Sequence, residues 1–545
     1  MNKMSSTALV TTKEPQKGRH VLRAAWEAIF CFIADTLHAF LCLPDVLSDM
    51  RRRSLRPLGA KQVLEAVFVE LLIVVAFGLY LLLRLPAAAD LYFSIMMPAA
   101  VFVLIAFALF VQSCGGDVTF GLIISVLIVL GIVLQLMLTA YSAYAGATSP
   151  QRFLVINCVS LITGLLALLF FQCVLRMRAI HAAAFLSVLT AASYLILLVF
   201  GSAPAGTNAR AWLRIGPFSF QLTEIAKVLA AAAMALVISD TDRSGKARLL
   251  LSFAILAANG VFLAALGELG TLLVLMLVYV CLAFVFCPDR TELKRASLLK
   301  MLGAVLAILV CVVVFSAVCL EASNGAKVAV IREVSTADPA ADGDTRTIDE
   351  KIAAACAQDK EAAKTCGPLI NRVGNEVWKV CRRVLAMKNT EGLTDEQMLS
   401  LGVDNYQIRR NNMAAASGGW FGSKYEMDRY TMVVAESDYV FAFVLRALGG
   451  VGGIAVLLMT LALLVCGNKR LGVVASRAEM AVGYAFLYAL VGQMLICIAA
   501  NIGLLPTVGL PMAFLSRGNA NSIISYLLVL FILYAGRRPK KEVRR

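Results

Sequence analysis

Read from its amino terminus, the chain alternates long apolar runs with short polar breaks. Twelve runs are continuous enough to cross a bilayer as helices: 65–84, 92–112, 120–140, 153–175, 182–200, 222–238, 249–265, 270–287, 298–320, 438–465, 480–505 and 512–535. A hydrocarbon core of about 30 Å needs about 20 apolar residues per helix. The pattern therefore predicts an all-α polytopic membrane protein with about 12 transmembrane helices. Ahead of them, Trp26 to Leu43 is apolar but interrupted by Glu27, Asp35 and His38. That stretch predicts an amphipathic helix lying at the interface rather than a span. One polar break, 321–436, is far longer than the rest and predicts a single large loop between spans.

Composition agrees with the pattern. Of 545 residues, 60% are hydrophobic and 16% charged, against about 25% charged in a typical soluble domain. This excludes a soluble enzyme and a disordered chain. The net charge of +15 (50 basic less 35 acidic) needs no nucleic acid to explain it, because the basic residues fall in alternate breaks. They are Arg51–Arg53, Arg56 and Lys61; Arg176 and Arg178; Arg243, Lys246 and Arg248; Arg290, Lys294 and Arg295; Lys469, Arg470 and Arg477; and the tail from Arg537 to Arg545. Basic loops stay cytoplasmic, so both termini are expected there, and 321–436 is expected outside. The 113–119 break has no basic residue and is the weak point of that count. The chain divides into a basic segment with the interfacial helix (1–62), two leading helices (63–113), a core (114–535) and a basic tail (536–545).

Of 14 cysteines, most sit singly in apolar runs, and the histidines (His20, His38, His181) are scattered. No zinc-type spacing occurs. Cys356 and Cys366 share the long loop and could bridge if it is extracytoplasmic, although separate thiols are the preferred reading.

The polar residues that invite chemistry lie at the non-basic end. The 201–221 loop holds Arg210, Trp212, Arg214 and Gly216 through Gln221, and leads into a span opening with Thr223, Glu224 and Lys227. At i, i+3, Glu224 and Lys227 share a helix face. Charges inside a span face a cavity or a partner, so the pair either serves a site or only locks the helix. Glu268 sits in the turn Gly267–Thr271. The Gly450-x-Gly452-x-x-Ala455 string follows no strand and reads as close helix packing rather than a dinucleotide site. No Walker A sequence is present, against an ATP-driven pump. The late part of the long loop carries Trp378, Arg382, Arg383, Asp395, Asp404, Tyr406, Gln407 and Ser417 through Gly422, then Ser437 through Ala442. The last non-basic turn runs from Asn501 through Pro511 to Gly518.

Taken together, these segments resemble the shape, elongation, division and sporulation (SEDS) family, the RodA/FtsW/SpoVE-like peptidoglycan glycosyltransferases. The family pattern GPFSFQPSE, with a following Lys, is matched by Gly216 to Gln221 with Glu224 and Lys227. PDLGT is matched by Glu268-Leu269-Gly270-Thr271, and the GYQ and GSGG strings by Tyr406-Gln407 and Ser417-Gly418-Gly419. TDFIFA is matched by Ser437 to Ala442, and LLPxTGxPLPF by Leu505 to Pro511. The resemblance covers about 120–535, so a ten-helix core would carry two added N-terminal helices.

The resemblance implies polymerisation of lipid II, the undecaprenyl-pyrophosphate-linked disaccharide peptide, on the outer face of the bacterial plasma membrane. A carboxylate would take the proton of the attacking hydroxyl, and cations would steady the departing pyrophosphate. The family carboxylate opens DPxGxGYQ, but Ser400 occupies that position here. Asp404 is the first choice for a shifted base and Asp395 the second; either could instead cap a loop helix. Arg210, Lys227 and Arg383 are assigned to the pyrophosphate. Trp212, Gln221, Glu224, Asp438 and Ser516 are the further substrate-binding candidates. A divalent cation, Mg or Mn, would suit the pyrophosphate, but no compact ligand cluster marks it. A class B penicillin-binding protein is the expected partner, alongside membrane lipids and no nucleic acid. Further departures are Arg446-Ala447 in place of a Glu pair, and Ser516-Arg517-Gly518-Asn519-Ala520-Asn521 in place of SYGGSS. A lipid flippase or transporter, and a catalytically weakened scaffold of the division machinery, are the alternatives.

Overall fold

The structure is a computed structural model. It describes residues 16–50, 59–84, 89–90, 92–114, 118–140, 150–203, 210–216, 218–286, 317–333, 347–367, 370–371, 374–375, 377–378, 381, 394–401, 406–423, 432, 434–506 and 509–536. Everything below concerns those residues.

The fold is an all-α bundle with one small hairpin. In chain order the helices are α1 (Gln16–Leu41), α2 (Leu43–Asp49), α3 (Ala60–Arg84), α4 (Met97–Ser113, after a π turn over Tyr92–Met96), α5 (Val118–Ala140), α6 (Pro150–Val174) and α7 (Ala179–Phe200). The antiparallel strands β1 (Trp212–Ile215) and β2 (Phe218–Gln221) follow. Then come α8 (Leu222–Ser239), α9 (Gly245–Leu266), α10 (Leu269–Val285), α11 (317–333), α12 (Ile348–Thr365), α13 (Asp395–Ser400), α14 (Tyr406–Ala416), α15 (Val440–Leu471), α16 (Arg477–Asn501) and α17 (Asn519–Ala535).

Among the described residues, eight helices are long and apolar enough to span a membrane. α10, α17 and the 100–113 part of α4 are shorter apolar helices. Eleven of the twelve expected runs fall on these helices; most of the twelfth, 298–320, lies outside the described residues. The last run needs correction. Residues 511–518 form a non-helical turn and the helix begins only at Asn519. Pro511 supplies no backbone donor, and Phe514 adopts a left-handed φ of 63°. The apolar Met512–Leu515 segment is buried as a wedge rather than as a helix turn.

Two helices form the hub. α8 and α16 are buried along almost their whole length, and α8 packs against α7, α9, α10 and α16. The run Ala230–Ala233 is fully buried, and its small side chains let neighbouring backbones approach closely, the usual device for helix association in lipid. Outer helices show the opposite pattern: Leu64, Phe68, Leu72 and Leu83 of α3 and Val155, Val159 and Leu166 of α6 are exposed, as lipid-facing positions should be.

The leading pair, α3 and α4, docks on α5. Glu70 is buried in α3 and accepts a hydrogen bond from Ser125 Oγ of α5 at 2.8 Å. α1 leans on the α6–α7 corner, where Asp35 pairs with His181 at 2.8 Å and Asp49 with Arg176 at 2.7 Å. Phe30, Leu37 and Leu41 of α1 are exposed, and Ile29–Leu41 with Leu43–Asp49, bent by 52°, are together long and apolar enough for a broken span or a re-entrant loop.

The long loop is more helical than its composition suggested. α11 runs on past the expected end of its span, and Val330, Ile331, Ile352, Ala355, Trp378 and Leu401 build a small core of their own. Buried Asp359 accepts from Ala326 N and Lys327 N, tying α12 to α11. Cys356 and Cys366 are separate thiols. The mobile stretch expected at 335–347 lies, except for Thr347, outside the described residues.

Candidate functional site

The site is assembled at the end of the bundle opposite Arg176, Arg243 and Lys469. Its first piece is the hairpin. Trp212 pairs with Gln221, and Gly216 turns the chain with φ of 59°. Ser202 N and Oγ both donate to Trp212 O, at 2.8 and 3.0 Å, and Arg210 N donates to Leu266 O. The loop is thereby stitched to α7 and α9, and the Arg210 side chain stands exposed above them.

β2 feeds directly into α8, placing Glu224 and Lys227 one turn inside the bundle. Lys227 is fully buried. Its Nζ donates to Glu224 Oε2 at 2.6 Å and to Gln493 Oε1 of α16 at 2.5 Å. Gln493 Nε2 in turn donates to Pro511 O at 2.7 Å and to Asn521 Oδ1 at 3.2 Å, while Asn521 Nδ2 reaches Met512 O. A buried charge is tolerated only when it is paired and hydrogen-bonded, and here that requirement links α8, α16, α17 and the 511–518 turn. Glu224 Oε1 and Thr223 Oγ1 are buried without a hydrogen-bond partner. Lys227 Nζ is held by Glu224 Oε2 and Gln493 Oε1 and is closed to solvent, so contact with a pyrophosphate would require it to leave them.

The 511–518 turn is clamped from the other side by α5 and by the segment that opens α15. Gly131 lies where any Cβ would meet Phe514 O at 2.2 Å, so only glycine admits the turn. One helical turn on, Gln135 Nε2 donates to Leu515 O and to Glu436 O, both at 3.3 Å. Ser516 Oγ accepts from Met512 N at 2.7 Å and donates to Ser437 O at 2.6 Å. Asn501 Nδ2 donates to Asp438 O at 2.9 Å, and Asn501 Oδ1 accepts from Ala442 N. The Asp438 carboxylate lies beside Gly509, at 3.5 Å from where a Cβ would stand.

A second junction lies at the Gly-rich turn. Gly449 has φ 73° and ψ −171° and breaks α15. The gap receives the 417–422 turn: Gly450 N donates to Gly419 O and Ser423 N to Arg446 O. A Cβ on Gly449 would lie 2.4 Å from Trp420 backbone atoms. The close packing read from this string is therefore helix against turn at Gly449 and Gly450, while Gly452 meets Leu448 of its own helix. Arg84, at the end of α3, donates to Phe421 O at 2.6 Å, so the added helices reach this turn.

Trp212, Gln221, Glu224, Lys227, Asp438 and Ser516, drawn from stretches far apart in sequence, thus share one end of the bundle, with Arg210 at its rim. Arg383 and Asp404 lie outside the described residues. Asp395 opens α13 behind a capping box made by Thr394 and Gln397, and α13 packs on α12 within the long loop. Among the described residues, no group of three or more His, Cys, Asp or Glu side chains is gathered that could hold a metal ion. Sequence reasoning missed Gln135, Gln493, Asn501, Asn521 and Glu436. For Gln135 and Gln493 the available signal was an amide in the middle of an apolar span, which lipid tolerates only with a partner; Asn501, Asn521 and Glu436 lie at helix ends or in a loop and carried no such signal.

The family model FTSW_RODA_SPOVE, described as "Cell cycle protein", matches residues 117–334 and 375–541. The chain belongs to this family. Curated relatives include the probable peptidoglycan glycosyltransferase FtsW of Thioalkalivibrio sp., 30% identical over 137 residues, covering 24% of this chain and 34% of the relative. The corresponding protein of Pseudomonas fluorescens is 32% identical over 128 residues, covering 22% and 31%. The matched stretch thus spans about a third of the length of these FtsW relatives. A solved structure described as "Structural coordination of polymerization and crosslinking by a peptidoglycan synthase complex" shares the fold, with a TM-score of 0.50 at 18% identity, covering 78% of this chain and 99% of that one. With its apolar helices and its FtsW/RodA/SpoVE membership, the chain is an integral bacterial membrane protein. The match begins at 117, so α3 and α4 precede the family region.

Proposed function

We propose that the chain is a peptidoglycan glycosyltransferase that polymerises lipid II into glycan strands on the outer face of the membrane. Both termini would be cytoplasmic and the site would face outward. The observation that supports this most strongly is the buried chain from Glu224 through Lys227 and Gln493 to the 511–518 turn, which joins three family motifs at the end away from the basic loops.

In the proposed reaction the sugar 4-hydroxyl of one chain gives its proton to a carboxylate. Its oxygen attacks the anomeric carbon of another, and the undecaprenyl pyrophosphate leaves with the bonding pair. Exposed Arg210, together with Arg383, would meet the pyrophosphate. Lys227 would join them only by releasing Glu224 and Gln493. The sequence nominates Asp404, then Asp395, for the carboxylate, and Glu436 is a third candidate. A class B penicillin-binding transpeptidase is the proposed partner. It fits a fold shared with a chain of a peptidoglycan synthase complex.

The test is direct. The full chain in lipid nanodiscs is given labelled lipid II, with and without such a transpeptidase, and with Mg²⁺, Mn²⁺ or a chelator. Glycan polymer is the expected product. Lipid movement across vesicles without polymer would replace the reading with transport. Neither polymer nor movement, in a folded protein, would leave a scaffold.

A further inference from the structure

The three consecutive carbonyls of Glu436, Ser437 and Asp438 are held one by one from different parts of the fold. Glu436 O accepts from Gln135 Nε2 of α5 and from Arg517 N at 2.6 Å. Ser437 O accepts from Ser516 Oγ, and Asp438 O from Asn501 Nδ2 of α16. Three buried side-chain donors thus meet three successive peptide groups, and the effect is to fix the backbone that carries Glu436. Such support is what a reacting side chain needs, since a catalytic group must be held close to its productive geometry by packed, hydrogen-bonded neighbours.

The Glu436 side chain itself is left incomplete. Glu436 Oε2 is buried and accepts no hydrogen bond from any described residue, an arrangement that costs free energy and calls for an explanation. Arg517 lies close enough to interact electrostatically with the carboxylate, and Arg152 at the start of α6 interacts likewise with Arg517. Burial pushes the Glu436 carboxyl above the ordinary range, opposed first by a hydrogen bond from its own backbone amide and then by Arg517. Arg517 is thus a cation beside this carboxylate, on the turn that also holds the 436–438 backbone.

The geometry points to Glu436 as the general base of the transfer, an assignment that rests on the polymerase reading above. In that step an oxygen of Glu436 takes the proton of the acceptor hydroxyl as the new C–O bond forms at the anomeric carbon. The anomeric C–O bond to phosphate breaks, and its electron pair leaves with the pyrophosphate. The ion pair of Lys227 is a positioning element in this scheme. It holds the 511–518 turn through Gln493, and that turn presents Arg517 N and Ser516 Oγ to the 436–438 segment.

The experiment measures lipid II polymerisation by the full chain as wild type, E436Q, E436D, R517Q and D404N, each checked for monodisperse elution and a cooperative melt. Expected are a fall in kcat of about 100-fold or more for E436Q, the range lost with a general base, with KM little changed, and partial recovery in E436D. R517Q should move the acidic limb of the pH profile to higher pH, because the cation that favours the ionised carboxylate is gone. Polymer from the wild type with E436Q within about threefold of it would overturn the base assignment and leave the polymerase reading standing. So would a 100-fold loss in D404N with E436Q unaffected. No polymer from the folded wild type would overturn both. Should E436Q fail to fold, an acidic limb that R517Q does not move overturns the assignment by itself.

Discussion

Replacing Lys227 by Met keeps an unbranched side chain one heavy atom shorter and removes both its charge and its hydrogen-bond donors. In the wild type the ammonium satisfies two buried acceptors, Glu224 Oε2 and Gln493 Oε1, and is itself fully enclosed. The variant leaves a carboxylate with no cation in a helix whose other buried oxygen already lacks a partner. Breaking a buried pair by removing one member costs about 3–5 kcal/mol, and the orphaned Gln493 oxygen adds a share of the usual 1–3 kcal/mol for an unmade buried hydrogen bond. K227M should therefore destabilise the protein by roughly 4 kcal/mol. E224Q keeps a neutral acceptor for Lys227 and should cost less. The double variant should cost less than the sum, with a coupling of about 1–3 kcal/mol. Reversible unfolding in mixed micelles, followed by tryptophan fluorescence, reads all four corners of the cycle. A K227M protein within about 0.5 kcal/mol of wild type, or additive single effects, would refute the claim that this pair is a stability-critical core element.

Other outcomes follow from single positions. E436Q should be more thermostable than wild type at neutral pH. The folded carboxyl titrates above its unfolded value, so the burial penalty is absent at low pH, grows as pH rises past the ordinary carboxylate range of about 4.3, and is complete above the raised value; melting curves against pH that show no such growth count against it. G449A should lose at least about 2 kcal/mol, since the residue would combine a positive φ with a Cβ 2.4 Å from Trp420, and polymer yield should fall with it. R84A should leave the bundle folded but loosen the 417–422 turn, read as faster proteolysis near Trp420 and Phe421, with no change at Trp212. Cys356 and Cys366 should both take an alkylating reagent without prior reduction, and a mass unchanged until reduction would show a bridge.

The span pattern was legible because lipid imposes it: a helix that satisfies its own backbone donors must present an apolar exterior over about 20 residues. Hence α3, α5 to α9, α15 and α16 fall where the apolar runs place them. The 511–518 turn was not legible. Its residues are as apolar as a span, and what stops the helix is Pro511, the left-handed Phe514, and a Gly131 on α5 that only the fold brings opposite. The helices of the long loop left little trace in the apolar pattern, because they bury Trp378 and Leu401 in a small core of their own rather than in lipid.

By itself, the sequence determined which segments enter the membrane, which end carries the basic loops, and that Glu224 and Lys227 share a helix face, because periodicity and charge are local properties. Only the tertiary structure decided what those residues meet. Gln135, Gln493 and Asn501 look alike along the chain: isolated amides among apolar neighbours. Packing turns one into the partner of a buried lysine and another into the clamp on Glu436, because a buried polar group must find its hydrogen bonds across helices far apart in sequence.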